Sequence, residues 1–400
     1  MSEFDAIRPY EDDEVPEVVA RLVRNRELRG GVAALVFPRL YPVLPAVAET
    51  MVAGLLHWRA RNIKNVLGFQ LQMRRYLDFI LRTNVREMTF SGLEGIEPDS
   101  PCLFLSNHRD IVLDSGLINR ILHNAGHDTC RLAVGDNLFS TEYAADIMRV
   151  NKAFMVERSV TGTKAQFKAL SRTARYIRHS LESGQHVWIA QRGGRSKDGF
   201  DRTDPALLKM LALAYRKELG GFGELAERMR IIPTSISYEL DPCDLRKAEE
   251  LALTQRDGDY EKSAEDDLQS IAEGLTGFKG RMHYHFGRLG EQSGGAELDS
   301  AEVMASAIDR EIVGHLNIYP THALAAQELG IPVQEGLTES ADVVTLAQFQ
   351  ERLARCPEHS KPFLLAQYGN LVRNRNELNL PVLPKPRICT MNPGDLAREP

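Results

Sequence analysis

Long apolar runs are missing from this sequence. No stretch reaches the ~18 to 20 uninterrupted apolar residues that a membrane-spanning helix needs, and the nearest, residues 30–58, is broken by Pro38, Arg39, Pro42 and Pro45. Cysteine is also sparse. The five residues (Cys102, Cys130, Cys243, Cys356 and Cys389) are scattered and form no CxxC pair, which argues against a small disulfide-stapled framework and for a reduced, intracellular chain. The N-terminus, MSEFDAIRPYEDDEVPEVV, is acidic and lacks the basic-then-apolar order of a signal peptide. With 49 Lys and Arg against 55 Asp and Glu the net charge is -6, which argues against nucleic acid as the main partner and says nothing of local patches. GxSxG, P-loop and strand-following GxGxxG patterns are lacking too, which removes the usual cues for α/β-hydrolases, NTPases and dinucleotide enzymes.

What is present is a folded-type composition, 43% hydrophobic and 26% charged over 400 residues, enough for one large domain with extensions or two ordinary ones. Residues 15–86 carry apolar positions at helical spacing. Within them, residues 58–82 predict a basic amphipathic helix, with Arg59, Arg61, Lys64, Arg74, Arg75 and Arg82 against the single acid Asp78. Such a helix either lies in an anionic lipid interface or packs on the main domain with its basic face in water. Residues 88–290 then alternate apolar runs (102–106, 131–134, 153–156, 186–190, 230–237, 282–286) with helical patterns (113–123, 141–148, 163–182, 205–217, 264–275). That alternation predicts an α/β fold, a mixed, largely parallel sheet flanked by helices, with its sites on the loops after the strands. A glycine-rich link over 287–298 is expected to lead to a helical region, 301–378, and an irregular proline-rich tail. The expected division is 1–87, helical; 88–290, α/β; and 291–400, helical with the tail.

The most informative segment is PCLFLSNHRDIVLDS, residues 101–115. An apolar strand ends at Ser106, a polar loop carries Asn107, His108, Arg109 and Asp110, and a helical pattern starts near Leu113. Imidazole, with an ordinary pKa of about 6.5, suits proton removal from an alcohol near neutral pH, and a carboxylate on its other nitrogen fixes the tautomer and stabilises the imidazolium. Asp110 and Asp114 are both in reach along the chain. Alone, a His beside an Asp is more often structural than catalytic. Three further segments give it context: AFMVERS, which delivers Arg158 into a loop; HVWIAQRGGRSKDG, with Arg192, Gly193, Gly194, Arg195, Ser196 and Lys197; and IIPTSISYELD around Pro233. Glycines let backbone amides approach an anion and arginines grip phosphate with paired hydrogen bonds, so the second is a candidate phosphate pocket; its plainer reading is a basic turn. His283 and His285 alternate on a strand and so face one side of the sheet, compatible with a metal, but no third ligand stands nearby and no metal is assigned.

Together these segments resemble the glycerolipid acyltransferases, the family of glycerol-3-phosphate and lysophosphatidic acid acyltransferases. That family orders its blocks as NH-x4-D, an F-x-x-R-like block, E-G-x-R, and an apolar block centred on proline. Asn107-His108 with Asp114, Phe154 to Arg158, Gly193-Gly194-Arg195-Ser196 and Ile232-Pro233-Thr234 stand in the same order. The likeness spans residues 90–288, about half the chain. Two departures are visible. Asp114 lies six positions after His108, where the family has five, so either a one-residue bulge restores Asp114 or Asp110 replaces it; Asp114, at a helix start, is favoured. Arg192 occupies the place of the family's glutamate, which puts the acceptor's identity in question.

The resemblance implies acyl transfer from a thioester, acyl-CoA or acyl carrier protein, to a glycerolipid hydroxyl in phospholipid biosynthesis, with no metal or cofactor. It assigns His108 as base, Asp114 or Asp110 as its partner, and Asn107, Arg158, Gly193, Gly194, Arg195, Ser196 and Lys197 to substrate binding. The leading acceptor is 1-acylglycerol-3-phosphate, followed by glycerol-3-phosphate or another lysolipid or aminolipid. The expected location is cytoplasmic and peripheral, on the inner face of a membrane. The reading from another class is a non-catalytic lipid- or acyl-carrier-binding protein on a degenerate acyltransferase fold.

Overall fold

The computed structural model describes residues 2–97, 99–216, 218–258, 264–290 and 297–391. Four helices come first: α1 (Val15–Arg24), α2 (Arg26–Val36), α3 (Pro45–Ala60) and α4 (Val66–Asn84). Then follow β1 (Glu87–Ser91), β2 (Leu103–Ser106), α5 (Leu113–Asn124), β3 (Arg131–Gly135), α6 (Glu142–Val150), β4 (Ala153–Val156), α7 (Thr163–Glu182), β5 (Val187–Ala190), α8 (Pro205–Ala212), α9 (Phe222–Met229) and β6 (Ile231–Tyr238). The chain continues through α10 (Asp244–Asp257), α11 (Ala264–Thr276), β7 (Arg281–Phe286), α12 (Ala301–Gly314), α13 (Pro320–Glu328), α14 (Val343–Arg355), α15 (Lys361–Glu377) and β8 (Cys389–Thr390). These elements form two compact units that interleave along the sequence, Met1–Tyr76 with Arg131–Tyr176, and Leu77–Cys130 with Ile177–Pro400.

In the first unit α1 buries Val15, Val18, Val19, Leu22 and Val23, a stripe at three- and four-residue spacing, against Ile63, Val66, Phe69 and Val150. Arg21 on α1 donates to both carboxylate oxygens of Asp146 on α6, each at 2.7 Å. β3 and β4 pair in parallel from Leu132↔Ala153 to Gly135↔Val156. The single basic helix expected over residues 58–82 is interrupted. α3 stops at Ala60, and Asn65 Oδ1 accepts from the Gly68 N–H at 2.8 Å, a side-chain cap that starts α4 afresh.

The second unit holds six strands in the order β5-β2-β6-β7-β1-β8. β2 is parallel to β5 and β6, β1 is parallel to β7, and the β6–β7 and β1–β8 pairs are antiparallel. The sheet is therefore mixed and largely parallel, flanked by helices, as the alternation predicted. All four residues of β2 are buried, which suits a strand covered on both faces. Pro233 sits inside β6 at no cost to the ladder. Its carbonyl accepts from Gly287 N at 2.8 Å where pairing with β7 begins, and the reciprocal N–H that proline lacks falls at that end. The C-terminal helices belong to this unit. Leu240, Ala248, Ala325, Phe349, Leu364 and Tyr368 share one apolar cluster, and buried Asp244 is held by Arg352 at 2.7 Å and by the Tyr368 hydroxyl at 2.6 Å.

Several elements differ from expectation. β1, α9 and α10 were not foreseen, and the helix expected over 205–217 ends at Ala212 in a tight turn, Leu213–Tyr215; Lys217 itself lies outside the described residues. The proline-rich tail is not wholly irregular, because Cys389 and Thr390 pair with Phe90 and Thr89. Residues 291–296 of the glycine-rich link and 392–400 of the tail lie outside the described residues. Among the described residues no helix is long and apolar enough to cross a membrane.

Candidate active site

The site is built where β2 leaves the sheet. Asn107, fully buried, uses its side chain as an extra rung: Oδ1 accepts from Ile236 N at 2.8 Å and Nδ2 donates to Ile236 O at 2.9 Å. Its amide is thereby engaged by β6 and by Asp201, which it reaches at 3.2 Å. The next residue, His108, turns out of the sheet with its side chain 16% exposed.

His108 Nδ1 lies 2.8 Å from Asp114 Oδ2. The same oxygen accepts the backbone N–H groups of Arg109 (2.5 Å) and Asp110 (2.9 Å), while Oδ1 accepts the Tyr238 hydroxyl at 2.9 Å. Four donors on a carboxylate of zero exposure answer the cost of burying its charge. Its place in the first turn of α5 adds favourable helix-dipole electrostatics. No protein group among the described residues bonds His108 Nε2. The indole of Trp188 stands edge-on to the imidazole, 5.6 Å between ring centres, and donates Nε1–H to Ser106 Oγ at 3.0 Å.

Asp110 does not partner His108. Its Oδ1 accepts from Val112 N (2.9 Å) and Leu113 N (2.8 Å), closing a turn that absorbs the extra residue between His108 and Asp114. Burial, and after it the charge of Asp114, pushes the Asp110 carboxyl above its ordinary range. Arg109, also buried, pairs with Asp201, and Lys247 Nζ donates to the Arg109 carbonyl at 2.8 Å while pairing with Asp241. The loop is thus pinned from β6, α10 and the segment after β5.

That segment carries the glycines. Gln191 N donates to Ser106 O and Ser196 N to His108 O, both at 2.7 Å, which ties the two loops together. Gly193 and Gly194 are exposed, and Gly194 has a φ of 78°, a conformation that favours glycine. Arg192 is turned inward, donating to Asp198 Oδ1 at 3.1 Å and Phe200 O at 3.0 Å. Lys197 pairs with Glu250. Arg195 is buried with its Nη1 unpartnered, and it helps Lys247 hold Asp241 below the ordinary carboxylate range against burial. Of the three cations expected around the glycines, Arg195 alone keeps an unsatisfied buried donor. Arg158 belongs to the first unit, where its backbone N–H and that of Ser159 donate to Asp136 at 3.1 and 2.9 Å.

Sequence reasoning missed Asp201 and Tyr238. Tyr238 lies in the quoted strand IIPTSISYELD, but nothing in the local pattern shows that its hydroxyl meets a carboxylate 124 residues away. His283 and His285 have become structural: Ser91 Oγ bridges His283 Nε2 at 3.0 Å and His285 Nδ1 at 2.8 Å, and His285 stacks on His315. No group of His, Cys, Asp and Glu that could hold a metal occurs among the described residues.

Residues 87–237 match the family model described as Acyltransferase. The match covers somewhat more than a third of the chain. The resemblance drawn from the four blocks is borne out over a segment that begins at β1 and ends within β6. Among solved structures, the chain is similar to the 1-acyl-sn-glycerophosphate (LPA) acyltransferase PlsC from Thermotoga maritima, at 14% identity and a TM-score of 0.32, over 66% of this chain and 86% of that one. It is also similar to the signal recognition particle receptor FtsY from Elizabethkingia anophelis, crystallised with GDP, at 12% identity and a TM-score of 0.21, over 75% and 92%. With scores this low neither likeness bears on fold or function. No curated protein matches.

Proposed function

We propose that this acyltransferase moves a fatty acyl group from acyl-CoA or acyl carrier protein to a hydroxyl of a phosphate-bearing glycerolipid, with 1-acylglycerol-3-phosphate as the first acceptor to test. The observation that carries the reading is the His108–Asp114 pair, with Nδ1 engaged at 2.8 Å and Nε2 unengaged. In the proposed step His108 Nε2 removes the acceptor's hydroxyl proton as that oxygen attacks the thioester carbonyl. The C–O bond forms, the tetrahedral oxyanion collapses, the C–S bond breaks, and the thiolate takes the proton back from the imidazolium. Backbone amides at Gly193 and Gly194 are the candidate oxyanion donors, and Arg195 is the candidate phosphate ligand.

A second acceptor class, glycerol-3-phosphate or another lysolipid or aminolipid, is favoured by one observation. Arg192 stands where the family has glutamate and is spent on Asp198 and Phe200, so no carboxylate is offered there. Peripheral attachment to an anionic membrane face is part of the proposal. It is supported by Val43 at 73%, Trp58 at 63% and Met51 at 50% exposure on the N-terminal helical segment that also bears Arg59 and Arg61. Co-sedimentation with anionic but not neutral vesicles is the expected result.

The test offers purified protein and His108→Ala palmitoyl-CoA or palmitoyl-acyl carrier protein with each acceptor, and follows lipid product by mass. Product that requires His108 is expected. Equal product from both proteins, or lipid binding with no product from any pair, would overturn the reading.

A further inference from the structure

The residue that touches Asp114 opposite His108 is Tyr238, at the C-terminal end of β6. Asp114 is completely buried and divides its oxygens. Oδ2 serves the imidazole and two loop amides, and Oδ1 receives the Tyr238 hydroxyl alone among the described hydrogen bonds, at 2.9 Å. Tyr238 is itself fixed from several sides. Its hydroxyl lies 3.3 Å from that of Tyr284 on β7, which also reaches Leu113 O at 3.4 Å. Its carbonyl is hydrogen-bonded to Nε2 of His322 on α13 at 3.0 Å. The phenol has one proton, and an anionic carboxylate is its strongest acceptor, so that proton is directed at Asp114.

We infer that Tyr238 is a positioning residue for the proposed acyl transfer, holding the Asp114 carboxylate in line with His108 and, by sharing its charge, setting how tightly His108 keeps a proton. The inference rests on the reading of His108 as the base. Burial and the charge of Asp114 push the Tyr238 phenol well above its ordinary range, so it remains a donor throughout the working pH. The charged and titratable groups facing this pair are Asp110 and Arg109 on the loop, Tyr284 on β7, His322 on α13, and Lys247 and Asp241 at α10 and its lead-in. None of these bonds Asp114 Oδ1.

A donated hydrogen bond draws charge away from the side of the carboxylate facing His108. Removing it leaves that charge to the imidazolium, so the imidazole should give up its proton only at higher pH. Strengthening it should do the reverse. The chain has two tryptophans. Trp58 is 63% exposed and Trp188 stands against the His108 ring, so Trp58→Phe leaves one indole whose emission is quenched when that imidazole is protonated.

In this background we would titrate the emission of three proteins: Trp58→Phe alone, Trp58→Phe with Tyr238→Phe, and Trp58→Phe with 3-fluorotyrosine placed at position 238. The fluorinated phenol keeps the shape of the side chain and is the stronger donor. Tyr238→Phe should raise the midpoint by roughly half a unit or more, and fluorotyrosine should lower it. Where palmitoyl transfer is measurable, the acidic limb of kcat should move with the emission midpoint. In Tyr238→Phe, kcat should fall about tenfold with both KM values unchanged. Identical midpoints in all three proteins would overturn the inference. Opposite shifts without acyl transfer in any protein would sustain the coupling and instead overturn the proposed reaction. If Tyr238→Phe fails to fold, the fluorotyrosine arm decides alone.

Discussion

Ser196 donates its backbone N–H to the carbonyl of His108 at 2.7 Å. The peptide that carries the candidate base is thus bonded directly to the glycine loop that carries the candidate anion ligands. The two loops come from β2 and β5, parallel neighbours in the sheet, and their shared ends set the spacing between proton removal and anion binding.

His108→Ala and Asp114→Asn should both keep the fold and lose transfer, the first by about 10³-fold or more and the second by about 10²-fold. Asp110→Asn should act differently. Its Oδ1 accepts amides of the turn and not the imidazole, so a carboxamide can keep that role and most of the rate. Single-turnover rates with circular dichroism on the same samples check all three.

Gly274→Ala inverts a common expectation. Alanine in a helix interior is ordinarily worth about 1 kcal/mol over glycine. At position 274 on α11, however, the added methyl would overlap Asp110 Oδ2 and sit 3.1 Å from its Cγ. The variant should melt lower than wild type and lose activity through the displaced loop. Pairing it with Asp110→Ala should recover part of the melting temperature, a coupling that a double-mutant cycle by calorimetry reads directly.

Burial holds three histidines of the second unit neutral. Desolvation lowers His283 to about 4, and His285 and His322 to about 3. In the unfolded chain each charges below its ordinary value of about 6.5. Stability is therefore full above that value and is lost as the pH falls toward the depressed values, by up to about 1.4 kcal/mol per pH unit for each group. Urea unfolding at pH 8 and pH 5 should show the loss. His283→Gln, which keeps hydrogen-bonding partners for Thr89 and Ser91, should make the pH dependence shallower by one group.

Arg195→Met should raise KM for a phosphate-bearing acceptor at least tenfold and leave KM for the thioester donor alone. Lys197→Met should change neither by more than about threefold, because Lys197 is already paired with Glu250. Separate saturation curves for donor and acceptor distinguish the two variants.

The sequence was most readable where chemistry is local. An apolar run giving way to Asn107 and His108 marked the strand end, and helix α7 (Thr163–Glu182) and strand β4 (Ala153–Val156) stand at the bounds their periodicity predicted. What could not be read depends on distant partners. β1 is a short, half-polar EMTFS that becomes a strand because β7 lies beside it nearly two hundred residues later. The choice between Asp110 and Asp114 turned on a backbone turn closed by side-chain hydrogen bonds. Nor does the sequence show that Arg192 and Lys197 pair with Asp198 and Glu250, one near in sequence and one distant. Interleaving of the two units was equally invisible, since no change of composition marks residues 131–176.

The position of β7 has a practical consequence. The segment matched as acyltransferase closes at residue 237, yet β1, inside it, is flanked in the sheet by β7 and β8, both outside it. Excised at those bounds, the fragment would keep its base and its glycine loop and lose both neighbours of its first strand. The matched segment is therefore not a cassette that can be transplanted whole. Chimeras should exchange single loops, or carry the chain through Thr390.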